Sequence, residues 1–147
     1  MKHVESFEAG SVAALEASKH VDVDSAAFRV CAKVSALLAR NFPLTGLAAI
    51  KAEASAAADA AYAAAADATR ASVVCRHRAE RYACNAALAA LDLDSDWAAV
   101  LAGDAADEAA KATNGGASAG PEPGRRAQAR IAETLHALED RRAKKWA

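Results

Sequence analysis

The sequence predicts an all-α protein, an alanine-rich helical bundle of about four core helices with a long central helix and a linker-tethered C-terminal helix. Alanine, the strongest helix former, supplies nearly a third of the 147 residues. Apolar residues recur at steps of three and four, which is the spacing of one helix face. No segment alternates apolar and polar residues over the length of a strand, so no β-sheet is expected.

The first two helices are predicted before residue 43. The first covers about residues 6–20, with Ser6 as its N-cap. The second follows Asp24, which is its predicted N-cap, and continues to about Phe42. It should end there because Pro43 disfavours helical geometry at the preceding residue.

The central helix is predicted over residues 46–91, with Thr45 as its cap. It would be about 69 Å long at 1.5 Å per residue, and neither proline nor a further glycine interrupts it. Its packing seam, which we call the alanine seam, consists of Ile50, Ala54, Ala57, Ala61, Ala64, Ala68, Ala71 and Cys75. The apolar phase changes near Val73, so the alternative is a break around residues 69–74 that creates two antiparallel helices. The lack of a helix breaker favours the unbroken helix.

The alanine seam predicts close helix packing. Small side chains let two backbones approach each other, although each contact removes little apolar surface from water. The partner of the seam is either another helix of the same chain or a second copy of the chain.

A fourth core helix is predicted from the turn at residues 92–96 to a point before Gly115. Asp92, Asp94 and Asp96 alternate as in a calcium loop, but the required glycine and distal glutamate are absent, so helix capping is the preferred interpretation. Trp97 is predicted to anchor the core at the start of this helix.

The segment GGASAGPEPG, residues 115–124, is the predicted linker. It divides the chain into a bundle over residues 1–114 and a basic amphipathic C-terminal helix over residues 125–147. The net charge of the chain is −1, but the C-terminal segment carries +4 and the preceding residues −5.

Composition also bears on the compartment. Three cysteines, an odd number, without a signal-like apolar stretch, favour a reducing compartment, and we expect a cytoplasmic protein. Charged residues such as Asp59 and Asp67 interrupt every apolar run, so no membrane span is expected.

No catalytic, cofactor or metal site is predicted. Cys75 and Cys84 would lie on opposite faces of a helix, about 13.5 Å apart along its axis, and His77 diverges from Cys75 by about 200°, so these three residues cannot share one tetrahedral ion. Small buried thiols are the preferred interpretation of the cysteines. No nucleophile has the neighbours of an activated triad, so an enzyme is not expected.

The predicted function is a non-enzymatic helical protein-interaction module, such as an adaptor, an assembly subunit or a small inhibitor. Its partner is a protein, with a second copy of the chain as one candidate. The alternative is a nucleic-acid-binding accessory protein that uses the basic cluster at 76–81 and the C-terminal helix. The composition resembles that of phasins, some bacterial immunity proteins and phage assembly proteins, which suggests a bacterial or phage origin, but no motif aligns with any family. The candidate partner-binding residues are Arg76, Arg78, Arg81, Arg141, Arg142, Lys144, Lys145 and Trp146.

Overall fold

The computed structural model describes residues 2–40 and 46–146, with side chains from Glu5 onwards. Over these residues the chain forms six helices and no strand, which confirms the all-α class. In chain order the helices are α1 (Lys2–Ser18), α2 (Ala26–Ala39), α3 (Leu47–Asp67), α4 (Ala71–Leu91), α5 (Ser95–Thr113) and α6 (Glu122–Trp146).

The unbroken central helix predicted over residues 46–91 is wrong. Helix α3 ends at Asp67, residues 68–70 form a short connection, and α4 begins at Ala71. Ala68 leaves helical geometry, with φ −73° and ψ 141°, and its N–H donates to the carbonyl of Ala64. The break lets α3 fold back along α4 as a helical hairpin, so that both helices bury an apolar face.

Four helices form the centre of the bundle. Helices α1, α2, α4 and α5 contact one another in a ring, and α1 also contacts α4 across it. Helix α3 packs on α2 and α4 at one side, and α6 packs on α1 and α5 at the other. The most extensive contact is between α4 and α5.

Alanine dominates the core. The largest fully buried side chains are Leu38, Val34, Cys31 and Cys84, and most other buried positions are alanines. On α3, Ala54 and Ala61 of the alanine seam are buried, whereas Ile50, Ala57 and Ala64 are half-buried, as is Ala68 just after the helix. Cys75 is buried on α4, but Ala71 is exposed at the first position of that helix, so the seam does not continue as one line across the break.

The caps differ from the predicted ones by a few residues. Helix α1 begins before Ser6, which therefore lies inside the helix. Ser25 rather than Asp24 caps α2, and its Oγ accepts a hydrogen bond from the N–H of Phe28 at 3.1 Å. The predicted helix end at Phe42–Pro43 and the predicted cap at Thr45 lie outside the described residues.

The interpretation of the aspartates at 92–96 as capping residues is confirmed for one of them. Asp94 caps α5, because its Oδ1 accepts a hydrogen bond from the N–H of Trp97 at 3.1 Å. Asp92 forms an ion pair with Lys51 at 2.7 Å instead, which links the end of α4 to α3.

The glycine- and proline-rich segment passes over the start of α4 before α6 begins. Gly116 has a φ of +92°, and a Cβ at this position would lie 2.4 Å from the Cβ of Ala71, so glycine is required there. Helix α6 starts at Glu122, with Pro123 in its first turn, where a missing N–H costs no helical hydrogen bond. The N–H of Gly124 donates to Oδ1 of Asp107 at 2.7 Å, which fixes the start of α6 on α5.

None of the described helices combines the length and the apolar character needed to cross a membrane.

Candidate functional site

The predicted partner-binding residues do not form one surface. Arg76, Arg78 and Arg81 lie on α4, whereas the other five residues lie at the end of α6. Helix α6 runs antiparallel to α1, since Arg130 contacts Glu16 and Arg142 contacts Glu8. Arg130 and Arg142 are about 18 Å apart along that helix. The basic residues at the end of α6 are therefore separated from Arg130, which lies in the first half of that helix.

Two contacts involve charged residues of the basic cluster, one between helices and one within α4. The guanidinium of Arg81 lies 4.6 Å from the ring centroid of Tyr62, so it stacks across the α3–α4 hairpin. Glu80 pairs with His77 of the same helix, with 3.5 Å between Oε2 and Nδ1. Arg81 thus holds α3 on α4, and Arg76 has no ion-pair partner among the described residues.

An apolar cleft lies at the start of α5, and we call it the Trp97 surface. The cleft has a volume of about 270 Å³ and is lined by Asn85, Leu88, Ala89, Asp92, Trp97 and Leu101. The prediction that Trp97 anchors the core is wrong, because its side chain is 53% exposed while Ala98 and Leu101 fill the core from the same helix. Val100 is exposed beside it, and Asp94 and Asp96 make the surrounding surface acidic.

A second exposed surface is the end of α6, which we call the basic helix end. It consists of Arg141, Lys144, Lys145 and Trp146, all of which are exposed. Trp146 is 84% exposed and contributes almost nothing to the packing of its own bundle. The neighbouring Arg142 is half-buried and pairs with Glu8, which attaches this part of α6 to α1.

A cationic groove opens where the end of α1 meets α4, α5 and α6. It has a volume of about 610 Å³, and its basic lining residues are Lys19, Arg76, Arg126 and Arg130. Its floor consists mainly of alanines from α5, and His20, Val21 and Asp22 line the side formed by the connection between α1 and α2. The groove therefore combines an apolar floor with a cationic rim.

Glu16 organises this rim from inside the protein. Its carboxylate is 3% exposed; it contacts Nε of Arg130 at 2.7 Å, Nε2 of His20 at 3.2 Å and Nζ of Lys19 at 3.4 Å. Burial alone would raise the pKa of Glu16, but hydrogen bonds from Arg130 and His20 and the charges of Arg130 and Lys19 lower the pKa below its ordinary value. Burial lowers the pKa of His20, although Glu16 opposes this effect.

These contacts predict a loss of stability in acid. Because the pKa of Glu16 is lower in the folded state than its ordinary value of 4.5, the unfolded state binds more protons in acid. The contribution of Glu16 should be complete above about pH 4.5 and should be lost as the pH falls through its folded-state pKa. The free energy of unfolding of Glu16→Gln, from urea titrations at several pH values, should depend less on pH below about 4.5.

Glu53→Gln is the matched control for this prediction. Glu53 is also a glutamate in an ion pair, with Lys33 at 2.8 Å, but this pair lies on the surface. The control should retain the pH dependence of the wild type. If Glu16→Gln also retained the pH dependence of the wild type, the ion pairs of Glu16 would contribute nothing measurable to stability.

The three cysteines are buried and free. Burial raises the pKa of Cys31, whose Sγ donates to the carbonyl of Ala83 at 3.2 Å, and burial raises the pKa of Cys84 to about 12. Burial, together with the charge of Glu108, also raises the pKa of Cys75. The thiols are therefore protonated at neutral pH, which agrees with their interpretation as small core residues. In the described part of the chain, no cluster of three or more His, Cys, Asp or Glu residues has the arrangement needed to hold a metal ion.

Most of the groove residues were not among the predicted binding residues. Only Arg76 was predicted, whereas Lys19, Arg126 and Arg130 join it through the packing of α1 and α6. The spacing of four between Arg126 and Arg130 was a usable signal, since it places both side chains on one face of a helix.

Comparisons of the chain with protein-family models, with curated proteins and with solved structures found no significant match.

Proposed function

We propose that this chain is a non-enzymatic helical interaction module of the cytoplasm, acting as an adaptor, an assembly subunit or a small inhibitor, and that it binds a second copy of itself. The observation that supports this function is a pair of exposed surfaces with complementary chemistry. The Trp97 surface is apolar and acidic, whereas the basic helix end carries cations and an exposed tryptophan.

The apolar parts of the two surfaces fit each other. Half-exposed Trp97 borders a cleft with an apolar wall formed by Leu88 and Leu101. Trp146 is a large aromatic side chain that is almost fully exposed in its own molecule. Tryptophan is enriched among the residues that dominate binding energy, and aromatic pairs contribute about 0.5–1.5 kcal/mol beyond the area that they bury. Trp146 of one copy is therefore a suitable occupant for the cleft of another.

The charges are complementary as well. Asp94 and Asp96 are exposed beside the cleft, and Lys144 and Lys145 precede Trp146. Opposite charges at the rim of an interface accelerate encounter and fix orientation more than they raise affinity. The association should therefore weaken with added salt.

The positions of the two surfaces allow a closed dimer. Ser95 lines the same pocket as Leu135 and Glu139, so the start of α5 and the second half of α6 lie at one end of the bundle. Two copies that meet at this end can each place Trp146 on the Trp97 surface of the other. Such a reciprocal contact is the arrangement of a two-fold symmetric dimer.

Light scattering over micromolar to millimolar concentrations tests this proposal. The wild type should form a dimer that dissociates on dilution and at high salt. Trp97→Ala and Trp146→Ala should each weaken the dimer by about tenfold or more, as expected for a central aromatic anchor. Val23→Ala, which truncates an exposed apolar residue in the α1–α2 connection, should leave it unchanged.

A charge exchange supplies a second test. Asp96→Lys or Lys145→Asp alone should weaken the dimer, and the double variant should recover part of the loss. A monomer at every concentration, or a dimer that is unaffected by both tryptophan substitutions, would overturn the proposed self-association.

A further inference from the structure

The cationic groove lies apart from both surfaces of the proposed dimer, because its floor belongs to the second half of α5 whereas Trp97 belongs to the first turn of that helix. We propose that this groove is a binding site for a small organic phosphate monoester. The inference does not depend on self-association.

The charges of the groove suit an anion. Four cationic side chains border it, and they are opposed by Asp22 in the lining, by Glu16 behind it and by Glu122, which contacts Arg126, so that the cations remain in excess. Arg76 has no ion-pair partner among the described residues. Arg126 has only a long contact with Glu122 at the rim, 3.8 Å between Nε and Oε2, and both side chains are exposed. Guanidinium groups offer paired N–H donors that fit the oxygens of a phosphate.

Two of the four rim cations, Arg130 and Lys19, are held by Glu16 before any ligand arrives. Glu16 accepts from Nε of Arg130, and the two terminal amino groups of that guanidinium have no partner among the described residues. The same carboxylate pairs with Lys19. A buried carboxylate is costly unless it is paired, so these side chains are held near it. Such preorganisation reduces the entropy that a ligand would have to offset.

The dimensions of the groove favour a small molecule over a nucleic acid. A volume of about 610 Å³ is in the range of small-molecule sites. The alanine floor, with Val21 at its side, offers an apolar surface to the organic part of an ester. The next group of cations, at the basic helix end, begins about 17 Å from Arg130 along α6, too far to continue a path for a phosphate backbone without a gap.

Titration calorimetry with three probes tests the proposal: phenyl phosphate, inorganic phosphate and benzyl alcohol. Phenyl phosphate should bind with a dissociation constant below about 1 mM. Inorganic phosphate should bind at the same place but more weakly, because it lacks a part that contacts the alanine floor. Benzyl alcohol, which lacks the charge, should not bind.

Variants assign the binding to the groove. Arg76→Gln should weaken the binding of phenyl phosphate by about tenfold, as expected for the loss of one charge-assisted contact. Arg78→Gln is the matched control, because Arg78 is an exposed arginine of the same helix that does not line the groove. It should leave the affinity unchanged. Circular dichroism of both variants checks that the helices are intact.

Three outcomes would overturn the proposal. The first is that neither phosphate probe binds. The second is that Arg76→Gln and Arg78→Gln weaken binding equally, which would indicate a general attraction of anions to the surface. The third is that a single-stranded oligonucleotide displaces phenyl phosphate and binds with higher affinity than phenyl phosphate. This result would assign the groove to nucleic acid.

Discussion

Leu38→Ala should lower the free energy of unfolding by about 2–5 kcal/mol, the largest loss that we expect from a single substitution in this chain. Leu38 has the largest side chain among the fully buried residues. Its Cδ1 lies 3.1 Å from the position of a Cβ added to Gly10, so this side chain of α2 packs directly against the backbone of α1. The surrounding alanines have no flexible ends that could move into the cavity, and the cost should therefore lie high in this range.

Leu15→Ala is the matched control. It is the same chemical change in a neighbouring helix, but Leu15 is 48% exposed, so its truncation leaves no closed cavity. Urea titrations of the two variants and the wild type should show a clear fall in midpoint for Leu38→Ala and a change below about 1 kcal/mol for Leu15→Ala. Similar losses in the two variants would mean that the core does not depend on its few large side chains.

The all-α class could be predicted because the alanine-rich composition and the spacing of the apolar residues both indicate helices along the whole chain. Alanine favours helix locally, and the steps of three and four supply one apolar face per helix. Local helix preference indicated no break between α3 and α4, and only the change of apolar phase near Val73 indicated the alternative break at 69–74, close to the observed turn. Thr69 and Arg70 are tolerated in helices, and the turn at 68–70 exists because α3 buries more surface when it folds back on α4 and α2.

The prediction that Trp97 is buried in the core was wrong for a related reason. A large aromatic residue at the start of a helix favours an assignment to the core, but the helices here approach closely through Ala98, Ala102 and Ala105. A bundle packed on methyl groups has no space for an indole between its helices. The small core side chains that predict close packing therefore also leave Trp97 at the surface.

The groove depends on tertiary structure more than any other feature. Lys19 and Arg130 are far apart in sequence and meet only because both pair with buried Glu16. A single sequence reveals the charge of each residue, but it does not reveal that one buried carboxylate pairs with both cations. The basic residues near the end of α6, which the sequence emphasises, lie at the opposite end of that helix from the groove.

Ala90→Leu should also be strongly destabilising, by about 1–3 kcal/mol or more, because it adds volume where none is free. Ala90 is fully buried on α4, the helix that contacts α1, α2, α3 and α5. Both its Cβ and its carbonyl oxygen lie 3.3 Å from the position of a Cβ added to Gly10. The backbones of α1 and α4 are therefore too close at this point for a leucine, and one of the two helices must shift.

Ala60→Leu separates overpacking from the intrinsic effect of leucine. Ala60 lies on the exposed face of α3, and leucine is almost as good a helix former as alanine, so its substitution should change stability by less than about 0.5 kcal/mol. Thermal unfolding followed by circular dichroism should therefore give a wild-type midpoint for Ala60→Leu and a midpoint lower by several degrees for Ala90→Leu. Equal midpoints would show that α1 and α4 have room between them, and the close approach of alanine-lined helices would then not be what stabilises this bundle.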